Sequence, residues 1–141
     1  MMILNKFSLE GQVAVVTGGG QGLGSVFCRT FAEAGADIVV AEINEETGPR
    51  MVRAIEQLGR RALFVHTDVK ERESARKMVA AAIEAFGRID VLMNNAGVTL
   101  WREAELVTAD EWKSVVDVNL NGVFYCSQAV AGPMTKAGSG R

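Results

Sequence analysis

The sequence predicts an α/β fold, a doubly wound parallel sheet with helices on both faces. Three observations carry that prediction: short β-branched runs alternate with longer stretches of helical apolar spacing, the first run leads straight into a cluster of glycines, and the first three helical stretches each end on a glycine. Strands that neighbour one another in parallel need a crossover, and the right-handed rule leaves few topologies for such a chain.

The elements follow in order. Gln12 to Thr17 (QVAVVT) reads as a strand buried on both faces. The glycine turn opens a helix from about Leu23 to Ala34, whose face is predicted from Val26, Phe27, Thr30, Phe31 and Ala34, with Gly35 as its stop. Asp37 to Ala41 is the second strand; Asn44 caps a helix with Met51, Val52, Ile55 and Leu58 on its apolar side, running to Gly59. Ala62 to His66 is the third strand. Asp68 is placed to cap a helix through Met78, Val79, Ala82, Ile83 and Phe86 that stops at Gly87, and Asp90 to Met93 gives a fourth strand. Beyond an irregular stretch, Thr108 and Glu111 form a capping box with Val107 and Trp112 at the flanking staple positions. One long helix is predicted from there to about Ala131, its apolar positions interrupted by Asn119, Asn121 and Gly122, and ended by Pro133 and the tail KAGSGR.

Composition narrows the function classes. The 141 residues are 48% hydrophobic and 23% charged with a net charge of -2, so no basic surface is offered to nucleic acid or an anionic membrane. No apolar run approaches the roughly 20 residues that a membrane span needs. The start, MMILNKFSLEG, has neither a basic leader nor a small-residue cleavage site, which predicts a cytoplasmic chain whose two cysteines, Cys28 and Cys126, stay reduced in the core. His66 is the only histidine, so neither a metal site nor a histidine relay is expected.

The turn Thr17-Gly18-Gly19-Gly20-Gln21-Gly22-Leu23-Gly24 does not match GxGxxG in any register, yet the same physics applies. Glycines let backbone approach a pyrophosphate, and a helix start offers free N–H groups and a positive dipole end. Glu42 closes the second strand 18 positions after Gly24, where an acid accepts hydrogen bonds from adenosine ribose hydroxyls and repels a 2′-phosphate. With no Arg or Lys in the turn or directly after Glu42, charge favours NAD over NADP.

These residues resemble a known family. TGGGQGLG fits the TGxxxGxG turn, and Asn94-Asn95-Ala96-Gly97 the NNAG motif, of the short-chain dehydrogenases/reductases, and WKSVVDVNLNGVF is similar to their helix bearing a catalytic Asn. The likeness runs from about Phe7 to Arg141. It implies a Rossmann-like sheet of strand order 3-2-1-4. It also implies that Gly18, Gln21, Gly22 and Leu23 line the pyrophosphate and ribose, with Gly24 permitting close helix packing. Glu42 stands where NAD-dependent members usually have Asp; Asp68 and Val69 fall where the family holds adenine. Asn95, Ala96 and Gly97 are expected to run past the cofactor's ribose, tied to the first strand by the Thr17 hydroxyl, and Asn119 matches the helix Asn of the family's proton relay.

The family's proton donor is a Tyr with a Lys four residues on and a Ser beside the substrate. Here the only tyrosine, Tyr125, has Ala129 at that distance and reads as packing, and Ser127 is not the family serine. GSGR at 138–141 looks like the lead-in to a fifth strand. The expectation is therefore the N-terminal portion of an NAD-dependent oxidoreductase acting on a secondary alcohol or ketone. It would bind the adenosine half of NAD without turnover, and an exposed fourth strand would make it prone to self-association. Trp101 and Arg102 could edge a substrate cleft. A non-catalytic nucleotide-binding or oligomerising module remains the alternative; a methyltransferase is disfavoured because NNAG has no role in one.

Overall fold

The computed structural model describes residues 7–141, so the first six residues of the segment read above for a leader lie outside the described residues. In chain order the elements are β1 (Val13–Thr17), α1 (Gly22–Glu33), β2 (Asp37–Glu42), α2 (Thr47–Glu56), β3 (Ala62–His66), α3 (Arg72–Phe86) and β4 (Val91–Met93). A single 3₁₀ turn (Ala104–Leu106) then precedes α4 (Ala109–Val116), a π-helical segment (Asp117–Gly122) and α5 (Val123–Ala137). The sheet is wholly parallel in the order β3-β2-β1-β4, the topology expected.

Period-two alternation along the central strands sorts their side chains onto two cores. Val13, Val15, Val39 and Ala41 face Met78, Val79 and Ala82 of α3 and Cys126 and Val130 of α5. Ala14, Val16, Ile38 and Val40 face Cys28 and Ala32 of α1 and Met51 and Ile55 of α2. All five residues of β1 are buried, whereas β3 and β4 at the sheet margins are only half-buried, His66 being exposed.

Four local expectations are corrected. Pro133 does not end the last helix but lies inside α5, which continues to Ala137 and stops at Gly138 in the left-handed conformation (φ 68°). The predicted single helix is interrupted by the π-helical segment, in which one extra residue per turn is accommodated. The buried stripe of α1 is Gly24, Cys28 and Ala32, with Phe27 and Phe31 partly covered, while Val26 is 54% exposed and Thr30 is exposed too. The helix presses so closely on the turn after β1 that only small residues fit its inner line: a Cβ at Gly24 would collide with the Gly18 carbonyl oxygen. Glu46, not Asn44, immediately precedes α2 and gives no side-chain cap; Asn44 stands further back, its Oδ1 accepting from the N–H groups of Glu46 and Thr47.

The amino ends of β1 and β4 are joined through Asp90. Its Oδ2 accepts from the Val13 N–H (2.9 Å) and from Arg88 Nε (2.8 Å), and its Oδ1 from Arg88 Nη2 (2.6 Å). On the outer side of β4 the Arg141 N–H donates to the Asp90 carbonyl (3.0 Å) and the Leu92 N–H to the Arg141 carbonyl (2.8 Å), the pattern of a parallel pairing on the strand's free side. Burial opposes ionisation of Asp90, but the hydrogen bonds from Arg88 and Val13 and the charges of Arg88 and Arg141 outweigh it and hold the carboxyl below its usual range.

A folded-state pKa below the unfolded one contributes stability that is present above the unfolded value, about 3.9, and is lost as pH falls through the folded one. Asp90→Asn is therefore expected to lower unfolding free energy at pH 7 by about 1–3 kcal/mol, the worth of hydrogen bonds to a charged group. Urea titrations at pH 7 and pH 3 check this: the gap between wild type and variant should narrow at the lower pH, and an unchanged gap would refute the assignment.

Candidate cofactor-binding cleft

A cleft of about 530 Å³ opens where the chain leaves the carboxyl ends of the strands, at the point where the strand order reverses between β1 and β4. Open parallel sheets place ligands at such a switch point. Ten of the residues predicted from sequence line it: Gly18, Gln21, Gly22, Leu23, Glu42, Asp68, Val69, Asn95, Ala96 and Gly97. Gly24 and Asn119 are not in its wall but stand behind it, against Gly18 and Val98 respectively. Sequence reasoning missed Ile43, Thr67, Lys70, Val98 and Val118, which also line the cleft and carry no motif of their own.

The glycine turn forms one wall. Gly18 (φ 64°) and Gly22 (φ 52°) hold left-handed backbone conformations, and a Cβ at Gly18 would sit 3.0 Å from the Ala96 Cα. The residue ahead of α1, Gln21, is extended and gives no side-chain cap, and no acidic residue lies in the first turn. The helix start thus presents uncapped N–H groups and its positive dipole end beside cleft-lining Gly22 and Leu23, a ready anion site.

Thr17 ties this wall to the opposite one. Its buried hydroxyl accepts from the Asn95 N–H (3.0 Å) and the Ala96 N–H (3.1 Å) and donates to the Met93 carbonyl (3.4 Å). Asn95 returns the link, its Nδ2 donating to the carbonyls of Thr17 (3.0 Å) and Gly18 (3.2 Å). The sequence-based expectation of a Thr17 tether holds, and the Asn95 amide is spent on the same junction.

Glu42 is 4% exposed and turned beneath the glycine turn. Its Oε2 accepts from the Gly20 N–H (3.0 Å), and its Oε1 from the N–H groups of Ile43 (2.9 Å) and Asn44 (3.1 Å). Asp68 does not cap α3, which corrects that part of its reading: the residue preceding the helix is Glu71, without a side-chain cap. Asp68 instead accepts from the Lys70 N–H (3.0 Å), faces Lys70 Nζ at 3.6 Å, and donates its own N–H to Ser74 Oγ. A three-residue lead from Asp68 to the helix satisfies the carboxylate locally and leaves it at the cleft edge.

The π-helical segment supplies the far wall and its support. Val118 lines the cleft, and Asn119 pairs reciprocally with Val98, accepting its N–H and donating to its carbonyl, both at 2.8 Å. A Cβ at Gly122 would lie 2.8 Å from Val69 Cγ2, so this turn backs the Val69 side of the cleft as well. Tyr125 packs partly buried against the α3–α5 core, and Ser127 accepts from Asn94 Nδ2 (3.1 Å). Trp101 is 93% exposed and Arg102 pairs with Glu111; neither lines the cleft. Burial pushes the thiols of Cys28 and Cys126 up to about 12 and about 11, so neither is a nucleophile near neutral pH.

Comparison with known proteins agrees with this architecture. The family described as short chain dehydrogenase matches residues 12–141. The chain is 43% identical over 132 residues to an uncharacterized oxidoreductase of Thermotoga maritima, covering 94% of this chain and 52% of that protein. It is 44% identical over 139 residues to the short chain dehydrogenase/reductase AstE of Aspergillus oryzae, covering 96% and 52%. A 7α-hydroxysteroid dehydrogenase complexed with NADH and 7-oxo glycochenodeoxycholic acid superposes with a TM-score of 0.94 at 32% identity, covering 99% of this chain and 55% of that one. The chain thus spans about half the length of the curated relatives it matches. With the match covering all but the first eleven residues and the glycine turn, the NNAG turn and the parallel sheet all in place, the chain belongs to the short-chain dehydrogenase family.

Proposed function

We propose that the cleft binds the adenosine half of NAD, in an oxidoreductase that transfers hydride between NAD and a secondary alcohol or ketone. The observation that carries this is the pairing of an uncapped helix start with a buried strand-end carboxylate, Glu42, across one cleft. When bound, the dinucleotide supplies hydride acceptance at its nicotinamide. The chain's own residues bind and orient it. The first turn of α1, with Gly18, Gln21, Gly22 and Leu23, faces the pyrophosphate; Glu42 meets a ribose hydroxyl; Asp68 and Val69 flank adenine; Asn95, Ala96 and Gly97 guide the cofactor along the cleft. Gly24 keeps α1 close behind the turn. Asn119 serves as a positioning residue for this part of the reaction, because its amide holds the loop at Val98. The NADH-bound relative supports a nicotinamide dinucleotide, and Glu42 favours NAD over NADP by charge.

These 141 residues contain no tyrosine with a lysine four positions on, which supports the reading that they bind nucleotide without turnover. The same observation favours the second reading, a nucleotide-binding module without catalysis. We place the chain in the cytoplasm, where its two buried thiols stay free. We also infer self-association: β4 lies at a sheet margin, and Trp112, Leu120 and Phe124 of the last helical stretch are 66%, 65% and 58% exposed.

Calorimetry is expected to show ADP binding within roughly threefold of NAD, and NADP weaker than NAD by about tenfold, or about 1.4 kcal/mol. NAD tighter than ADP by more than that would mean that a nicotinamide pocket is present. Absorbance at the NADH band should stay flat with any secondary alcohol, and measurable NADH formation would overturn the inactivity. Sedimentation velocity across a concentration series should show a rising mean mass; a fixed monomer would overturn the association.

A further inference from the structure

The notable feature of Glu42 is how little of its carboxylate is left free. An ionised carboxylate offers about four acceptor positions, and three are taken by the N–H groups of Gly20, Ile43 and Asn44. Two of those donors are its own chain neighbours. The third, Gly20, comes from the glycine turn on the other side of the cleft wall and fixes where the acid points. Gly20 also has no room for a side chain. A Cβ there would lie 2.8 Å from Glu42 Cγ, 3.0 Å from Glu42 Oε2 and 2.5 Å from Thr47 Oγ1, a buried hydroxyl with no hydrogen-bond partner among the described residues. The Thr47 hydroxyl can rotate away, but the Cγ of an acid rooted at the end of β2 cannot give without swinging the carboxylate off the Gly20 N–H.

We propose that Gly20 is a selectivity-determining residue: its N–H holds the Glu42 carboxylate under the turn, and its missing side chain leaves the space that the longer acid needs. The carboxylate then meets an unphosphorylated ribose with its remaining acceptor position. A 2′-phosphate gains nothing from it and meets a fixed negative charge. Gly20 and Glu42 thus act as a matched pair, in which the extra methylene of Glu over Asp is taken up by the absent Cβ. This rests on the proposed adenosine site, and the test separates the two.

The probes are ADP and adenosine 2′,5′-bisphosphate, titrated into the 141-residue chain and its variants by calorimetry, with thermal melts alongside. Wild type should bind ADP more tightly. Gly20→Ala should weaken ADP roughly tenfold and the bisphosphate less than about threefold, narrowing the ratio, because only ADP uses the acid's remaining acceptor position. In a Glu42→Ala background, which removes the obstructing Cγ, adding Gly20→Ala should leave the ratio unchanged. Equal weakening of both ligands by Gly20→Ala, or a ratio that shifts as much without Glu42 as with it, overturns the Gly20 proposal while the adenosine site stands. If Gly20→Ala does not fold, Glu42→Gln decides. An amide oxygen cannot serve Gly20 and the Ile43–Asn44 turn together, so the ratio should narrow as for Gly20→Ala, and an unchanged ratio overturns the proposal. Wild type that binds neither probe overturns the adenosine site and the proposal with it.

Discussion

The hydroxyl of Thr17 is the point on which the cleft depends. A doubly wound sheet opens at its switch point because the chain leaves β1 toward one face and β4 toward the other, and nothing in the ladder holds those departing segments together. Thr17 does so with one buried oxygen that uses its single donor and both acceptor positions on the backbone of Met93, Asn95 and Ala96. Asn95 closes the loop by donating to the carbonyls of Thr17 and Gly18. The glycine turn and the NNAG turn thereby become one rigid rim, and α1 can sit against it only because Gly24 lacks a side chain.

Two buried carboxylates mark the opposite ends of the same sheet and work in opposite ways. Asp90, at the amino end, is neutralised by Arg88 and accepts from the Val13 N–H, so its charge serves the alignment of β1 and β4. Glu42, at the carboxyl end, is held by backbone N–H groups and forms no ion pair among the described residues. Backbone donors stabilise a carboxylate without cancelling its field, which is what the proposed ribose site requires.

The π-helical segment adds a third constraint. An α-helical register from Ala109 to Ala137 would rotate Val118, Asn119 and Gly122 relative to one another. With the extra residue accommodated, Val118 lines the cleft, Asn119 reaches both backbone groups of Val98, and Gly122 lies against Val69. The cost of the irregular turn is offset by satisfying the loop at Val98, where backbone groups outside regular structure need partners.

Sequence alone determined the elements whose signals are local. Four β-branched runs, the glycine stops after α1 and α3 and the Thr108–Glu111 box are all present as read, because periodicity, left-handed glycine and capping act within a few residues. The cleft lining was legible wherever a motif marked it: Gly18, Gln21, Gly22 and Leu23 of the glycine turn, Glu42 at the end of β2, and Asn95, Ala96 and Gly97 of the NNAG turn. Tertiary structure decided the rest. Val26 faces outward because α1 sits too close to the turn for bulk on its inner line. Pro133 stays within α5 because the helix packs along its length on α3. Lys70 and Val118 reach the cleft only through folding. Each of these depends on which surfaces meet across the sheet, a relation between residues distant in the chain that no local window contains.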